Sequence, residues 1–392
     1  MKPLTAVVKH EKAVYPYMSL EKRKKILPKR NACSLYPATQ QNDAMITGNG
    51  TLRAEIYGDP FEETIVYGHE LLYVPIRKNA PELPDMVGIL PEVRRLLKEG
   101  EYDKASDAMR EYWEKQGFGL NLYVTPDQRV IPMTTLGKVR AFELKIESEK
   151  HEFNNYLRSL DLLTGEVTVR FTDQNGEWIR KTVPSFKRNL LYQTVTAPKK
   201  GSLNAAFTFV LPTHEDQGWS DQPLTGNDFS FCLNEEKALI GCAYDPAFGS
   251  LGYTAVTKII REGGTSSVDG NRLIIKDTDK IIFVTRITRY EENFTHPLAA
   301  GDFETLSAES FNADEILNEN RLILGKKMER SEIRLGNTDE WAYSSEELLK
   351  LQHSRDDLCG MLLEKLYDMG RFYLITEMNF GDITLSPGIR IS

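Results

Sequence analysis

Between residues 120 and 288 the chain breaks into short runs of alternating apolar and polar residues, each closed by turn-forming residues. The runs fall at 141–147, 166–171, 178–183, 190–196, 205–210, 229–233, 252–260, 272–276 and 280–287. In the second, Val167, Val169 and Phe171 lie on one face and Glu166, Thr168 and Arg170 on the other. Asp173-Gln174-Asn175-Gly176 then joins it to the next run as a hairpin of the Asn-Gly kind. No stretch of helical periodicity separates these runs. Parallel strands need long crossovers, usually helices, so strands joined this closely pair antiparallel. The predicted outcome is mainly β, a large antiparallel β-sandwich. No fixed-period repeat runs through the sequence, which argues against a propeller or a solenoid.

The stretch 46–113 interrupts that rhythm. Thr47-Gly48-Asn49-Gly50 is a tight-turn cluster, and Leu52, Ala54 and Ile56 alternate up to Gly58. Residues 65–74 are a second run, apolar enough to be buried on at least one face. A helical pair follows over 90–116. Pro91 suits the first turn of a short helix with Val93, Leu96 and Leu97 on one face, and Gly100 suits its C-terminal end. The next helix carries Tyr102, Ala105, Met109, Tyr112 and Trp113 as one stripe. Beyond Thr305 helical periodicity returns. It covers 315–330, a helix capped by Ser345, and a longer one over 355–376. Three regions are therefore expected: a polar N-terminal arm over 1–40, the sandwich over 41–305, and a C-terminal helical segment over 306–392.

The arm holds a basic run, Glu21-Lys22-Arg23-Lys24-Lys25 through Lys29-Arg30. Lys and Arg total 49 against 57 Asp and Glu, a net charge of −8. In so acidic a chain the run reads as solvated surface rather than as an electrostatic docking strip. The same balance argues against a nucleic-acid partner, which wants clustered positive charge. Cys33, Cys232, Cys242 and Cys359 form no CxxC pair and have few histidines around them, so buried free thiols are expected, and neither metal nor cofactor. The N-terminus lacks the apolar core of about 7–15 residues that marks a signal peptide, and no apolar run reaches the roughly 18 residues a membrane span needs. The expected compartment is the cytoplasm, with no membrane partner. There the Asn293-Phe294-Thr295 sequon carries no weight.

The Gly48-Asn49-Gly50 turn, the strand ending at Gly58, the positions Glu63, Ile65, His69 and Leu72, and the segment Leu90-Pro91-Glu92-Val93-Arg94 with Gly100, Tyr102 and Ala105 together resemble the N-terminal domain of glycoside hydrolase family 95. That family includes α-L-fucosidases and α-L-galactosidases. Gly68 stands where its members carry Asn, and Tyr73 where they carry Trp. The resemblance continues in Tyr156-Leu157-Arg158, Leu160-Asp161-Leu162, Ile179-Arg180 and Pro184-Ser185, and in Met328-Glu329-Arg330 with Leu335-Gly336. Leu362, Leu363, Leu366, Gly370-Arg371-Phe372-Tyr373 and Ile375 resemble the opening helix of the family's (α/α)6 barrel. The resemblance implies a super-sandwich of galactose-mutarotase-like type with an inserted helical pair, followed by a linker and the first barrel helix. Leu363, Leu366 and Phe372 are then expected to be partly exposed or to pack only on the sandwich.

The loop that follows this helix in the family reads Asn-Leu-Gln-Gly-Ile-Trp-Asn. Here Gly388 and Ile389 match it, with Arg390 at the Trp and Ile391 at the Asn. The resemblance places the catalytic carboxylic acid beyond residue 392, so no catalytic residue is expected within the chain. Inverting glycoside hydrolysis needs an acid and a base roughly 6.5–9.5 Å apart around the bond. No G-x-S-x-G, H-E-x-x-H or phosphate loop offers other chemistry. Asp356-Asp357 reads as an exposed helical pair. The candidate substrate-binding residues are His69, Tyr73 and Asn49. His69 is either a sugar contact or a strand histidine bonding a neighbouring loop, and Tyr73 either a stacking platform or core. The functional expectation is the N-terminal portion of a family 95-like α-L-fucosidase, itself inactive. It would act with a separately encoded catalytic portion on fucosylated or galactosylated glycans. The alternative is a stand-alone, non-catalytic carbohydrate-binding or structural sandwich.

Overall fold

The computed structural model describes residues 16–73, 85–115, 123–124, 130–131, 138–212, 227–244, 246, 250–337 and 339–377. Strands and helices are numbered along the chain. The seven-stranded sheet runs β16 (Thr265–Asp269), β17 (Arg272–Thr278), β12 (Leu203–Val210), β7 (Lys138–Glu147), β4 (Glu62–Tyr73), β3 (Leu52–Ile56) and β2 (Met45–Gly48). The nine-stranded sheet runs β1 (Asn31–Ser34), β8 (Asn154–Asp161), β9 (Val167–Asp173), β10 (Gly176–Ser185), β11 (Leu190–Thr196), β18 (Lys280–Tyr290), β15 (Gly252–Glu262), β14 (Lys237–Ala243) and β13 (Asp228–Leu233). All pairings within both sheets are antiparallel. β5 (Tyr123–Val124) and β6 (Val130–Ile131) form a separate two-stranded ladder. The large sandwich is as expected.

The two sheets bury their facing sides in one core. Alternation puts Val167, Val169 and Phe171 into it from β9, against Phe207, Phe209 and Phe283. Tyr67 and Phe142 stack across β4 and β7 with ring centroids 4.4 Å apart. The outer face of the nine-stranded sheet is covered as well. Ala299 and Leu306 of α4 (Leu298–Ser307) and Ile316 of α5 (Ala313–Asn320) pack on Val183, Tyr192, Val256 and Val284.

The inserted helical pair is present as α2 (Leu90–Lys98) and α3 (Tyr102–Lys115), with Pro91 in the first turn and Gly100 at φ +78 between them. Val93, Leu96 and Ala105 form its small core, while Leu97, Tyr102 and Met109 are exposed. After α5 a π-helical turn, Arg321–Gly325, leads into α6 (Lys326–Met328). Leu324 and Met328 reach the main core. α7 (Ser345–His353) is capped by Ser344, one residue earlier than expected, because Ser344 and Glu347 form a reciprocal capping box. α8 (Gly360–Glu377) starts five residues later than expected. The Gln352 side chain accepts the Cys359 N–H at 2.7 Å and donates to the Asp357 carbonyl, turning the chain before α8. Asp356-Asp357 is exposed, but in this connection rather than in a helix.

The arm departs most from expectation. Residues 16–40 carry α1 (Leu20–Ile26) and β1, which pairs with β8 at the sheet edge. Met18, Leu27, Cys33 and Leu35 are buried with Leu157 and Ala342. Arg23, read as part of a solvated run, is 1% exposed. Its guanidinium forks onto Glu347 at 2.7 and 2.6 Å and donates to the Ala342 carbonyl. A charge run on a helix gives no sign of which member turns inward. Residues 1–15 of the arm, the start of the β region at residue 120 and the loop around Gly388 and Ile389 lie outside the described residues.

Candidate functional site

The register brings strand ends from both sheets to one end of the sandwich: Tyr73 beside Lys138, and Asp228, Ala243, Gly252 and Tyr290 in successive pairs. His69 faces inward there, beside Arg289 of β18. It is 8% exposed, and its Nδ1 accepts the Leu71 N–H at 3.1 Å. Burial, reinforced by the Arg289 charge, pushes its pKa down from 6.5 to about 4. At neutral pH the ring is therefore uncharged, with its proton on Nε2. Arg289 lies over the Tyr244 ring at 4.6 Å and donates to the Gly252 and Tyr290 carbonyls. Nothing in the sequence marks Arg289 or Tyr244, because only the strand register carries them to this end of the sandwich. Tyr73 ends β4, but its side chain lies outside the described residues.

Asn49 is in the turn joining β2 to β3, one strand from β4. Its Oδ1 accepts the Thr51 and Leu52 N–H groups at 3.0 and 2.7 Å. Its Nδ2 donates to the Ser185 carbonyl at 2.9 Å and to Asn189 Oδ1 at 3.2 Å. A side-chain amide has two donors and one acceptor oxygen, and all are spent here. The flanking glycines are needed for close approach. The Gly50 N–H donates to the Thr376 carbonyl of α8 at 2.7 Å, and a Cβ on Gly48 would lie 2.6 Å from the Leu52 carbonyl oxygen. The Gly-Asn-Gly turn thus joins the two sheets and the C-terminal helix. Asn49→Ala should destabilise the fold by about 1–3 kcal/mol through its unpaired partners. Chemical denaturation measures this, and a loss under a few tenths of a kcal/mol would contradict the joint.

The carboxylates buried among the described residues each face an arginine. Glu55 pairs with Arg53 at 2.7 Å, Glu63 with Arg180 at 3.3 Å, Glu143 with Arg140, and Glu340 with Arg355 at 3.9 Å. Burial pushes the Glu63 carboxyl up, opposed by Arg180 and by the Gly58 N–H on Oε1 at 2.5 Å. It sits fully inside the sandwich, out of reach of a substrate. Among the described residues no three His, Cys, Asp or Glu side chains gather as a metal site. All four cysteines are free. Cys33, Cys242 and Cys359 are buried as expected, whereas Cys232 is exposed, because its partners on the other face of β13, Phe231 and Leu233, take the core side. No helix among the described residues is long and apolar enough to cross a membrane.

Two facing antiparallel sheets with an inserted helical pair and docked C-terminal helices define a large β-sandwich domain of the kind that begins glycoside hydrolases. Residues 34–293 match the model of the glycosyl hydrolase family 65 N-terminal domain, and the chain belongs to that family. The expectation of a glycoside hydrolase N-terminal domain is met; the family number that matches is 65. No curated protein matches the chain. The solved structure of "Putative kojibiose phosphorylase from human microbiome" aligns over 83% of this chain and 40% of that one, with 10% identity and a TM-score of 0.47. The chain therefore spans less than half the length of that protein.

Proposed function

We propose that this chain is the sandwich-and-linker portion of a glycoside hydrolase. Its residue resemblance to family 95 around Gly48–Ala105 supports an α-L-fucosidase-type enzyme acting on terminal sugars of fucosylated or galactosylated glycans, beyond the family 65 N-terminal match. Catalysis belongs to a helical domain that packs on α8. The observation that carries this reading is α8 itself. On one side Phe372 is locked in the sandwich core and the Thr376 carbonyl receives the Gly50 N–H. On the other, Leu366, Gly370 and Leu374 repeat every four residues, with Leu366 59% and Leu374 55% exposed. A helix apolar on both faces is built to sit between two layers. The arginine-matched carboxylates supply no acid for the leaving oxygen, so the chemistry falls to the second layer. His69 and Tyr73, both on β4, are the residues this reading assigns to sugar binding, although His69 is only 8% exposed.

The purified chain is expected to leave a nitrophenyl α-L-fucoside or α-L-galactoside unhydrolysed above background. An acid–base pair typically contributes about 10²–10⁴-fold, and none is positioned here. Turnover that scales with protein and vanishes on one carboxylate substitution within 1–392 would sink the proposal. The outer stripe of α8 should make the isolated chain self-associate. Leu366→Glu with Leu374→Glu should return it to a monomer by light scattering, with an unchanged circular dichroism spectrum. A wild-type chain already monomeric at high concentration would show that the stripe needs no cover.

A further inference from the structure

At the edge of the nine-stranded sheet, β13 sends Phe229, Phe231 and Leu233 toward the core, so Asp228, Ser230 and Cys232 project from the opposite face. The segment 291–297 crosses that face. Two glycines on neighbouring strands, Gly241 and Gly252, let it lie flat. A side chain at Gly252 would run into the Phe294 ring. A Cβ on Gly241 would lie 2.7 Å from Ser230 Oγ, 3.0 Å from His296 Nδ1 and 3.6 Å from the Phe294 ring tip. The Ser230 hydroxyl and the His296 ring nitrogen thus rest against the same glycine. Phe294 meets the His296 ring edge to face at 5.6 Å and fixes its plane.

The other ring nitrogen, Nε2, is 2.9 Å from Asp228 Oδ2. A carboxylate accepts, so Nε2 is the donor in this contact, and in the corresponding neutral tautomer Nδ1 presents a lone pair. That nitrogen is buried and has no hydrogen-bond partner among the described residues. Ser230 is half-buried, and its hydroxyl makes no hydrogen bond among the described residues. A lone-pair nitrogen, a hydroxyl beside it and a carboxylate on the far nitrogen are the three parts of an activated nucleophile. Ser230 Oγ and His296 Nδ1 are not hydrogen-bonded to each other in this structure; both lie against Gly241, and nucleophile–base contacts are often looser before substrate binds.

We propose that Ser230, His296 and Asp228 form a nucleophile–base–carboxylate set that takes an acyl group from small carboxylic esters. Ser230 Oγ attacks the ester carbonyl, and its proton passes to His296 Nδ1. The new Oγ–carbon bond forms as the bond to the leaving alkoxide breaks, and the alkoxide takes the proton from His296. Water then releases the acid by the same route in reverse, with His296 as base. Asp228 is a positioning residue that holds the tautomer. No oxyanion donors are invoked, so a slow acylation is expected rather than rapid turnover. This site is independent of the glycosidase reading.

The folded chain is incubated with p-nitrophenyl acetate and, separately, with a fluorophosphonate probe, and the modified peptides are mapped by mass spectrometry. The expected result is acetyl and phosphonyl groups on Ser230, abolished in Ser230→Ala. Labelling should slow about 100-fold in His296→Gln. Asp228 is 77% exposed, so Asp228→Asn is expected to slow labelling while leaving the thermal melt unchanged. Ser230 modified no faster than other surface serines would overturn the proposal. So would Asp228→Asn and His296→Gln reacting at the wild-type rate. Should His296→Gln not fold, the Asp228→Asn rate decides alone.

Discussion

Arg23→Met is expected to cost the folded chain about 3 kcal/mol, the scale of breaking one side of a buried ion pair. The variant keeps an unbranched apolar stem, so the loss reports the guanidinium rather than the packing. Arg23 is enclosed by α1, the turn at Ala342 and α7, and its fork on Glu347 has two hydrogen bonds near 2.7 Å. Removing it strips Glu347 of its charge partner, although the Ser344 N–H still holds that carboxylate at 2.8 Å. Glu347 is partly solvated, which keeps the cost from rising further. Urea denaturation of wild type, Arg23→Met, Glu347→Gln and the double variant gives the coupling directly. A coupling under about 1 kcal/mol, the range of exposed pairs, would show that the contact is not tight in solution.

Acidification should destabilise the protein through His69, by up to roughly 3 kcal/mol at one pKa unit per 1.4 kcal/mol. The sign follows from linkage. The folded state holds the ring neutral down to about pH 4, whereas the unfolded chain takes up the proton near 6.5. This contribution is therefore complete above pH 6.5, declines between 6.5 and 4, and is gone below that. His69→Asn keeps an acceptor for the Leu71 N–H and removes the titration. Carboxylates titrate in the lower part of the same window, so the test is the difference between the two chains. Stability measured from pH 7.5 to 4 should fall less steeply in the variant. Parallel curves would mean that the ring charges as freely in the fold as outside it.

The strands were legible where one face alone is buried. Val167, Val169 and Phe171 alternate with Glu166, Thr168 and Arg170, and the hairpin turn at Asn175-Gly176 sits where it was expected. β14 was not legible. α4 covers its outer face, so Leu239 is apolar like Ala238 and Ile240, and no alternation remains. β16 escaped because apart from Val268 its residues are polar, and it is largely exposed. The Gly-Asn-Gly turn could be read as a turn, but its work as a joint depends on Ser185, Asn189 and Thr376, which are remote in sequence. The same holds for the sandwich end. His69 stood out by resemblance, whereas Arg289, Ser230 and His296 acquire neighbours only when the strands pair.

The position of β1 also governs the order in which the chain can be completed. Strand β1 and helix α1 lie near the start of the sequence, yet their polar partners come from its last fifth. Arg23 closes on Glu347, Arg30 forks onto Asp368, and Asn31 and Lys365 meet beside the Tyr343 carbonyl. More than 300 residues separate each pair. Contacts so distant in sequence are slow to form, because the intervening loop must close before they reward it. On a ribosome, β1 therefore waits at the sheet edge through synthesis of nearly the whole sandwich, with Arg23 and Asn31 still in water. A nascent chain halted before Ser344 would carry that edge open, a row of unpaired backbone groups for another strand to find. Sealing the edge falls to the helices that follow Ala342, which also present the outer face of α8.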